Sequence, residues 1–316
     1  MSEPLDLVVA ERRQETADIV SLVLRRSDGA PLPAWEPGAH VDLILSDSLE
    51  RQYSLCGGDA RSWRIAVLRE QEGRGGSAHV HRELGVGSRL HVRGPRNRFR
   101  LEPAPSYRFV AGGIGITPIL PMLKAATSKA ATGDWSLYYG GRSRQSMAFT
   151  EELAADHPAD RIRLCEGPLD LPEFLSGLRP GELVYACGPE SLLTAVAAIV
   201  PPEALRTERF SAPQAGTTGN TVGNTAGNTP FEVELARSGR TLTVAADQSI
   251  LATLQRAGVE VLYSCTEGTC GTCETDVLSG KVDHRDSVLT PQERACGDTL
   301  MVCVSRAKEG RLTLDL

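Results

Sequence analysis

Short runs of alternating apolar and polar residues mark the first hundred positions. They fall at 6–11, 19–25, 40–45, 64–68 and 89–92, and Gly- and Pro-containing turns separate them. An alternating pattern predicts strands with one buried face. Closely spaced strands of this kind favour an antiparallel barrel or sandwich.

The pattern changes after residue 105. Strand-like runs at 108–111, 135–139, 161–165 and 183–187 alternate with helical periodicity at 118–130 and 190–199. Alternation of strands with helices predicts an α/β region in which helices cover a parallel sheet.

A third change occurs between residues 211 and 230, where Gly-Asn-Thr repeats three times and almost no side chain is apolar. Such a segment predicts a flexible linker. Beyond it, strands at 231–235 and 241–244 flank Ser238-Gly239 as a hairpin, and Ser249 is placed to cap a helix that ends before Gly258. We therefore predict a multidomain protein divided at 1–104, 105–210, 211–230 (linker) and 231–316.

Composition narrows the functional classes. The 316 residues are 41% hydrophobic and 23% charged, which suits a globular chain of two or three domains. A formal charge of −6 argues against nucleic acid as the main partner. No apolar run approaches the ~18 residues of a membrane span, and residues 1–6 do not resemble a signal peptide. We expect a cytoplasmic monomer without a membrane partner.

The cysteine spacing is the most specific chemical signal. Cys265, Cys270 and Cys273 lie within nine residues, and Cys303 follows after 29 more. This is the plant-type spacing for a 2Fe-2S cluster, whose irons take three thiolates from one loop and one from a distant strand. A zinc site or a pair of disulfides is the alternative, but zinc sites usually present two short Cys or His pairs. A Rieske centre would need two histidines.

Two glycine-rich loops are candidate anion sites. Gly73-Arg74-Gly75-Gly76-Ser77 precedes a helical run at 78–84, and Ala111-Gly112-Gly113-Ile114-Gly115-Ile116-Thr117-Pro118 joins a strand to a helix. Glycines before a helix leave N–H groups available for phosphate, and Arg74 and Ser77 add a charge and a hydroxyl. The second loop departs from the usual Gly-x-Gly-x-x-Gly fingerprint but suits close approach of a pyrophosphate.

These loops occur in the order found in a known family. Arg51-Gln52-Tyr53-Ser54, which we expect at the end of a barrel strand, matches the Arg-x-Tyr-Ser motif of the ferredoxin-NADP reductase superfamily. Tyr139-Gly140-Gly141-Arg142 and Cys187-Gly188-Pro189-Glu190 agree with it. With a ferredoxin-like segment at the C-terminus, the whole chain resembles the phthalate dioxygenase reductase family, to which vanillate demethylase reductases are similar.

The resemblance implies specific site residues. It places a flavin against Arg51, Gln52, Tyr53 and Ser54, with its phosphate at Arg74, Gly75, Gly76 and Ser77. It places the nicotinamide cofactor at Gly112, Gly113, Gly115, Thr117, Gly140, Arg142, Cys187, Gly188 and Pro189. Ser54, Thr117 and Cys187 are expected around the reacting atoms, and Phe210 near the flavin. The metal ligands are Cys265, Cys270, Cys273 and Cys303.

The resemblance also implies a function. We expect the reductase component of an oxygenase system, which passes electrons from NADH through a flavin and a 2Fe-2S cluster to a terminal oxygenase. A Rieske-type oxygenase that acts on an aromatic compound is favoured, and a haem-thiolate monooxygenase is the main alternative. FMN is favoured over FAD. NADH is favoured over NADPH, although Arg142 and Arg144 could hold a 2′-phosphate. An iron–sulfur redox sensor or carrier without enzymatic activity, or a subunit of a larger dehydrogenase, would also use the cluster.

Overall fold

The computed structural model describes residues 3–46, 49–71, 75–128, 134–210, 228–263 and 265–316. The chain divides into two compact units, Met1–Glu208 and Arg209–Leu316. In the described residues no helix is long and apolar enough to cross a membrane.

A closed antiparallel barrel begins the first unit, with strand order β1-β2-β5-β4-β3-β6. Its strands are β1 (Leu5–Thr16), β2 (Ile19–Arg26), β3 (Ala39–Ser46), β4 (Leu49–Asp59), β5 (Ser62–Leu68) and β6 (Arg89–Asn97). Leu22, Leu43 and Trp63 are fully buried inside it. Helix α1 (Gly76–Glu83) contributes Val80 to the same core. The barrel closes where Leu5 of β1 pairs with Val92 of β6.

A five-stranded parallel sheet follows, in the order β11-β10-β7-β8-β9. The strands are β7 (Tyr107–Gly112), β8 (Trp135–Gly141), β9 (Ile162–Glu166), β10 (Leu183–Cys187) and β11 (Leu205–Glu208). The helices are α2 (Ile116–Ser128), α3 (Thr150–Asp156), α4 (Leu171–Leu175) and α5 (Glu190–Ala197), with 3-10 turns at Gly113–Gly115, Arg144–Ser146 and Ala159–Arg161. All five strands run in the same direction, so their carboxyl ends form one edge.

The barrel and the sheet share a core within the first unit. Cys56 and Ala66 of the barrel belong to the same buried cluster as Phe109 and Met122. Beside it, Arg64 of β5 forms a bidentate ion pair of 2.8 Å with Glu152 of α3. Both side chains are about one-fifth exposed, which makes the pair stronger than a surface salt bridge.

The second unit is a β-grasp domain. Its main sheet has the order β13-β12-β18-β14-β16, with β12 and β18 parallel, and β15 pairs with β17. Its elements are β12 (Phe231–Leu235), β13 (Arg240–Val244), α6 (Ile250–Arg256), β14 (Glu274–Ser279), β15 (Val282–Asp283), α7 (Pro291–Cys296), β16 (Thr299–Met301), β17 (Arg306–Ala307) and β18 (Arg311–Leu314).

The predicted fold class is confirmed, and so are the hairpin and the helix cap of the second unit. Ser249 Oγ accepts a hydrogen bond from Ala252 N at the start of α6. One expectation was wrong: Arg51 to Ser54 lie in the first half of β4 and not at its end, because β4 continues past a bulge between Leu55 and Gly57 to Asp59. The predicted linker lies outside the described residues except for 228–230. The proposed domain boundaries stay predictions.

Candidate redox sites

The Arg-x-Tyr-Ser residues and the first glycine loop meet on the barrel. A Cβ added at Gly76 would lie 2.3 Å from Arg51 Cγ, so the arginine side chain lies directly on the glycine backbone. Gly75 has φ 83° and an open space where a Cβ would point. Ser77 Oγ accepts a hydrogen bond from Glu70 N. A guanidinium beside an open helix N-terminus suits a phosphate group.

Two buried polar atoms near β4 suit contact with a polar ligand. Gln52 Nε2 and Glu208 Oε2 have no hydrogen-bond partner among the described residues. Tyr53 is partly buried, and desolvation raises the pKa of its hydroxyl well above the ordinary value. Buried polar groups in folded proteins normally have partners, so these atoms fit a group with polar edges such as a flavin.

Glu208 lies next to two of the predicted catalytic residues. It hydrogen-bonds with Ser54, and it is in register with Cys187 across β10 and β11. Burial raises the pKa of Glu208 to about 8, although the Ser54 hydrogen bond opposes this shift. Burial also raises the pKa of the Cys187 thiol well above its ordinary value, so the thiol stays protonated. Ser54, Cys187 and Glu208 therefore form a neutral polar group at neutral pH.

The glycines of the second loop allow a close backbone approach at the carboxyl edge of the sheet. A Cβ at Gly115 would lie 2.2 Å from the carbonyl oxygen of Cys187, and a Cβ at Gly188 would lie 3.0 Å from Gly112 Cα. Gly113, with φ 55°, has nothing within 4 Å of its Cβ position. The loops after β7 and β10 are thus in contact, and the tip of the first loop remains open toward a ligand.

The other residues predicted for the nicotinamide site lie along the same carboxyl edge of the sheet. Thr117 is buried, and its hydroxyl donates a hydrogen bond of 2.9 Å to the Ile114 carbonyl, which fixes the loop. Gly140 is the penultimate residue of β8 and lies against Leu169, and Arg142, just after the strand, is exposed. Pro189 is the N-cap residue of α5. The structure thus brings the predicted residues of β7, β8 and β10 to one edge.

Two predicted contacts stand apart. Arg74 lies outside the described residues, as does Gly73 of the same loop. Phe210 belongs to the second unit and is 45% exposed, and its predicted contact with the flavin stays a prediction.

The four candidate cluster ligands lie together in the second unit. Cys265 contacts Cys270 and Cys303, and Cys273 contacts Cys303. Cys270, Cys273 and Cys303 are buried, whereas Cys265 is partly exposed. All eight cysteines are among the described residues and are free thiols.

The loop also offers hydrogen bonds to sulfur. The backbone N–H groups of Glu267 and Thr269 donate to Cys265 Sγ at 3.3 and 3.4 Å, and Thr272 N donates to Cys270 Sγ at 3.4 Å. Thr266 has φ 58°, which turns the chain around the sulfur. Donors to sulfur stabilise thiolate ligands and tune a cluster.

The described residues contain no group of three or more His, Cys, Asp or Glu side chains arranged to hold a metal ion. The cysteines instead contact one another in a chain, in the order 270, 265, 303 and 273. Two irons that share four thiolates need two ligands each, so paired thiols fit a 2Fe-2S cluster better than a single ion.

Sequence reasoning missed Glu208 as a site residue. On sequence alone, only Phe210, two residues further on, is placed near the flavin. A glutamate at a strand end is commonplace in sequence, and its burial results from contacts with β4 and β10 that are distant along the chain.

Comparisons with known proteins agree with the two predicted cofactor regions. A family model described as an oxidoreductase NAD-binding domain matches residues 109–165. A model described as a 2Fe-2S iron-sulfur cluster binding domain matches residues 233–308, which include all four cysteines of the cluster spacing.

Curated relatives match over their full lengths. The chain is 40% identical to a putative toluene-4-sulfonate monooxygenase system reductase subunit of Comamonas testosteroni, covering 100% of both chains. It is 38% identical to phthalate dioxygenase reductase of Burkholderia cepacia, covering 99% of this chain and 97% of the relative.

Solved structures agree as well. An intact type IV self-sufficient cytochrome P450 monooxygenase is 44% identical with a TM-score of 0.90, covering 99% of this chain, which spans 41% of that one. The structure of phthalate dioxygenase reductase, described as modular for electron transfer from pyridine nucleotides to [2Fe-2S], is 37% identical with a TM-score of 0.70, covering 99% and 98% of the two chains. The chain therefore belongs to the phthalate dioxygenase reductase family and is a flavin- and iron–sulfur-dependent oxidoreductase, the reductase component of an oxygenase system.

Proposed function

We propose that the first unit binds FMN and NADH, that the second unit binds the 2Fe-2S cluster, and that electrons leave the cluster for a terminal oxygenase. The observation that carries this proposal is the neutral group of Ser54, Cys187 and Glu208, which lies where the barrel and the carboxyl edge of the sheet meet. A flavin supplies the needed chemistry when bound, because it accepts an electron pair from a dihydronicotinamide and releases electrons singly.

The barrel residues bind and orient the flavin in this proposal. Arg51, with the N-terminus of α1 at Gly75 and Gly76, holds the phosphate, and Tyr53 provides an aromatic surface for the ring. This single phosphate site supports FMN.

The sheet residues position the nicotinamide. Gly112, Gly113 and Gly115 let the pyrophosphate of the cofactor approach the backbone closely. The Thr117 hydroxyl fixes their loop through its hydrogen bond to the Ile114 carbonyl. Ser54 and Cys187 lie beside the reacting atoms. Glu208 keeps its proton at neutral pH and can hold the Ser54 hydroxyl in one orientation. Burial of this group excludes water from the place where a hydride would be transferred.

The proposed partner is a Rieske-type oxygenase that acts on an aromatic compound. The names of the toluene-4-sulfonate and phthalate relatives support an aromatic substrate for the partner. We further propose that the reductase is a monomer and meets the oxygenase transiently.

A haem-thiolate monooxygenase is the second candidate partner. It is supported by the self-sufficient cytochrome P450 monooxygenase structure, which is 44% identical to this chain, although the chain spans only 41% of its length. Reconstitution with a Rieske oxygenase and with a P450 lacking its own reductase domain would separate the candidates. Coupled product formation with only one of them identifies the acceptor class.

The function is tested by an anaerobic titration of the purified protein with NADH. We expect the visible flavin bands to bleach while a low-temperature electron paramagnetic resonance signal of a reduced 2Fe-2S cluster grows to about one spin per chain. A redox sensor without enzymatic activity would leave the flavin region unchanged with both NADH and NADPH, and that result would contradict the proposal.

A further inference from the structure

Two exposed arginines follow the second strand of the parallel sheet. Strand β8 ends at Gly141, and Arg142 and Arg144 come directly after it. Both residues are exposed. Among the described residues, neither guanidinium forms an ion pair with a carboxylate. Their two positive charges are therefore available to an anion from solution.

Other arginines around this sheet are paired. Four of them contact carboxylates: Arg108 with Glu182, Arg163 with Glu173, Arg179 with Asp134 and Arg206 with Glu102. An exposed arginine without an ion pair is ordinary on a protein surface, so the significance of Arg142 and Arg144 depends on their location.

The pair lies at the carboxyl edge of the sheet, beside the glycine loop at 112–115. Gly140 of β8 is in register with Gly112 of β7, and neighbouring strands are about 4.8 Å apart. Arg142 follows Gly140 by two residues, so its Cα is at most about 7 Å further along the chain. The Arg142 side chain thus begins next to the loop that suits the pyrophosphate of a dinucleotide.

The backbone that carries both arginines is fixed to the sheet. Ser146 Oγ accepts a hydrogen bond of 3.1 Å from Ser143 N and donates one of 2.7 Å to the Ser143 carbonyl. The Met147 N–H donates to the Arg144 carbonyl at 3.1 Å. The Met147 side chain is buried, and a Cβ added at Gly141 would lie 2.4 Å from its Cγ. The two guanidiniums therefore extend from a turn whose position is set by packing.

An arginine at this place has a known chemical consequence in dinucleotide-binding sheets. A carboxylate beyond the glycine loop hydrogen-bonds the ribose 2′-hydroxyl of NAD, whereas an arginine accommodates the 2′-phosphate of NADP. Guanidinium groups bind phosphate through two parallel N–H donors. Glu166 is in register with Gly141, but it ends β9, which is one strand further from the glycine loop than β8. Arg142 is thus closer in the sheet to the cofactor loop than this carboxylate.

We propose that Arg142 and Arg144 bind the 2′-phosphate of NADPH, so that the protein accepts NADPH as well as NADH. NADH lacks only this phosphate, so the rest of the cofactor takes the same site. Both arginines act on nucleotide specificity and touch no reacting atom. This inference rests on the proposed function, because it requires a nicotinamide dinucleotide at the carboxyl edge of the sheet.

The experiment compares the binding of adenosine 2′,5′-bisphosphate and adenosine 5′-monophosphate to the full-length holoprotein by isothermal titration calorimetry. Neither probe carries a nicotinamide, so binding is measured without electron transfer. The variants are Arg142→Gln, Arg144→Gln and the double variant. Arg61→Gln is the matched control, because Arg61 is exposed and without an ion pair in the same unit, but lies in the turn between β4 and β5.

We expect the wild-type protein to bind the bisphosphate about tenfold more tightly than the monophosphate, because each guanidinium adds charge-assisted hydrogen bonds. Salt should weaken this preference, since both arginines are exposed. Each single variant should lose part of the preference and the double variant nearly all of it, whereas Arg61→Gln keeps it. The ratio of kcat/KM for NADPH to that for NADH should fall about tenfold in the double variant.

Three results would overturn the inference. They are equal affinity of the wild-type protein for the two probes, no measurable binding of the bisphosphate, and an equal loss of affinity for both probes in the double variant. A wild-type protein that is reduced by NADH and not by NADPH would overturn it as well, while leaving the proposed function intact. A protein whose flavin is reduced by neither nucleotide would instead contradict the proposed function.

Discussion

The carboxyl group of Glu208 illustrates how position decides the chemistry of a residue. Burial raises its pKa to about 8 from an ordinary value near 4.5, because desolvation disfavours the charged form. Among the described residues, only the hydrogen bond with Ser54 opposes this shift. The side chain is therefore neutral below about pH 8, and it can donate as well as accept a hydrogen bond beside Ser54.

The raised pKa of Glu208 predicts how stability depends on pH. The unfolded chain releases the proton above pH 4.5, whereas the folded first unit keeps it up to about pH 8. The unfolded state thus binds fewer protons in this window, so the contribution of Glu208 is present below pH 4.5 and is lost as the pH rises to about 8. The full effect is on the order of 5 kcal/mol. Glu208→Gln should remove this dependence.

The measurement is the free energy of unfolding of the first unit at pH 5, 6.5 and 8. Tryptophan fluorescence isolates that unit, because Trp35, Trp63 and Trp135 all lie within it. The stability of Glu208→Gln relative to wild type should rise with pH, and Glu203→Gln, at an exposed position nearby, should show no such trend. A constant difference between Glu208→Gln and wild type across this range would show that the carboxyl group is ionised in the folded protein.

Ser54→Ala tests the other member of the same hydrogen bond. Loss of the hydroxyl removes one hydrogen bond beside the reacting atoms of the flavin and the nicotinamide. We therefore expect hydride transfer to the flavin to slow about tenfold. NADH affinity should change much less. Stopped-flow reduction of the flavin separates the two quantities, and an unchanged transfer rate would reject the position proposed for Ser54.

At the level of elements, the local hydrophobic and glycine patterns predicted those strands and loops whose structure depends mainly on nearby residues. The strand Leu183–Cys187 was predicted with its observed bounds, and the glycine loop before α2 was recognised, because buried parallel strands are apolar throughout and glycines mark close approaches. Strands β15 and β17 have two residues each, so they are too short to show an alternating pattern in the sequence. Glu208 acquires its raised pKa from contacts with residues distant along the chain, which no local sequence pattern contains.

The contact between the Gly113–Gly115 turn and β10 gives an element-scale prediction. A Cβ at Gly115 would clash with the backbone carbonyl of Cys187 at 2.2 Å, and backbone cannot move aside as a flexible side chain can. Gly115→Ala should therefore separate the two loops, destabilise the first unit by about 2 kcal/mol and weaken NADH binding.

The matched control is Gly85→Ala, because Gly85 has nothing within 4 Å of its Cβ position and lies in the same unit. Its stability should change by less than about 0.5 kcal/mol, as at other surface positions. Denaturant unfolding and a fluorescence titration with NADH measure both effects. If the two variants behave alike, the close approach at Cys187 does not support the cofactor site.

For the whole molecule, the relevant feature is that each unit has its own core. The buried cluster built on Phe231, Leu254 and Leu312 contains residues of the second unit only, and those built on Phe109, Trp63 and Val184 contain residues of the first. Independent cores predict that damage to one unit leaves the other folded.

Cys273→Ser tests this separation through function. The thiol is buried and contacts Cys303, so its loss should prevent the cluster from assembling, and electron transfer to a terminal oxygenase should fall to background. The first unit should still reduce an artificial two-electron acceptor with NADH at close to the wild-type rate, because its residues are unchanged. Cys296→Ser, at an exposed cysteine of the same unit, should keep both activities. Loss of both activities in Cys273→Ser, with the tryptophan unfolding transition of the first unit intact, would mean that the cluster domain is required for hydride transfer itself.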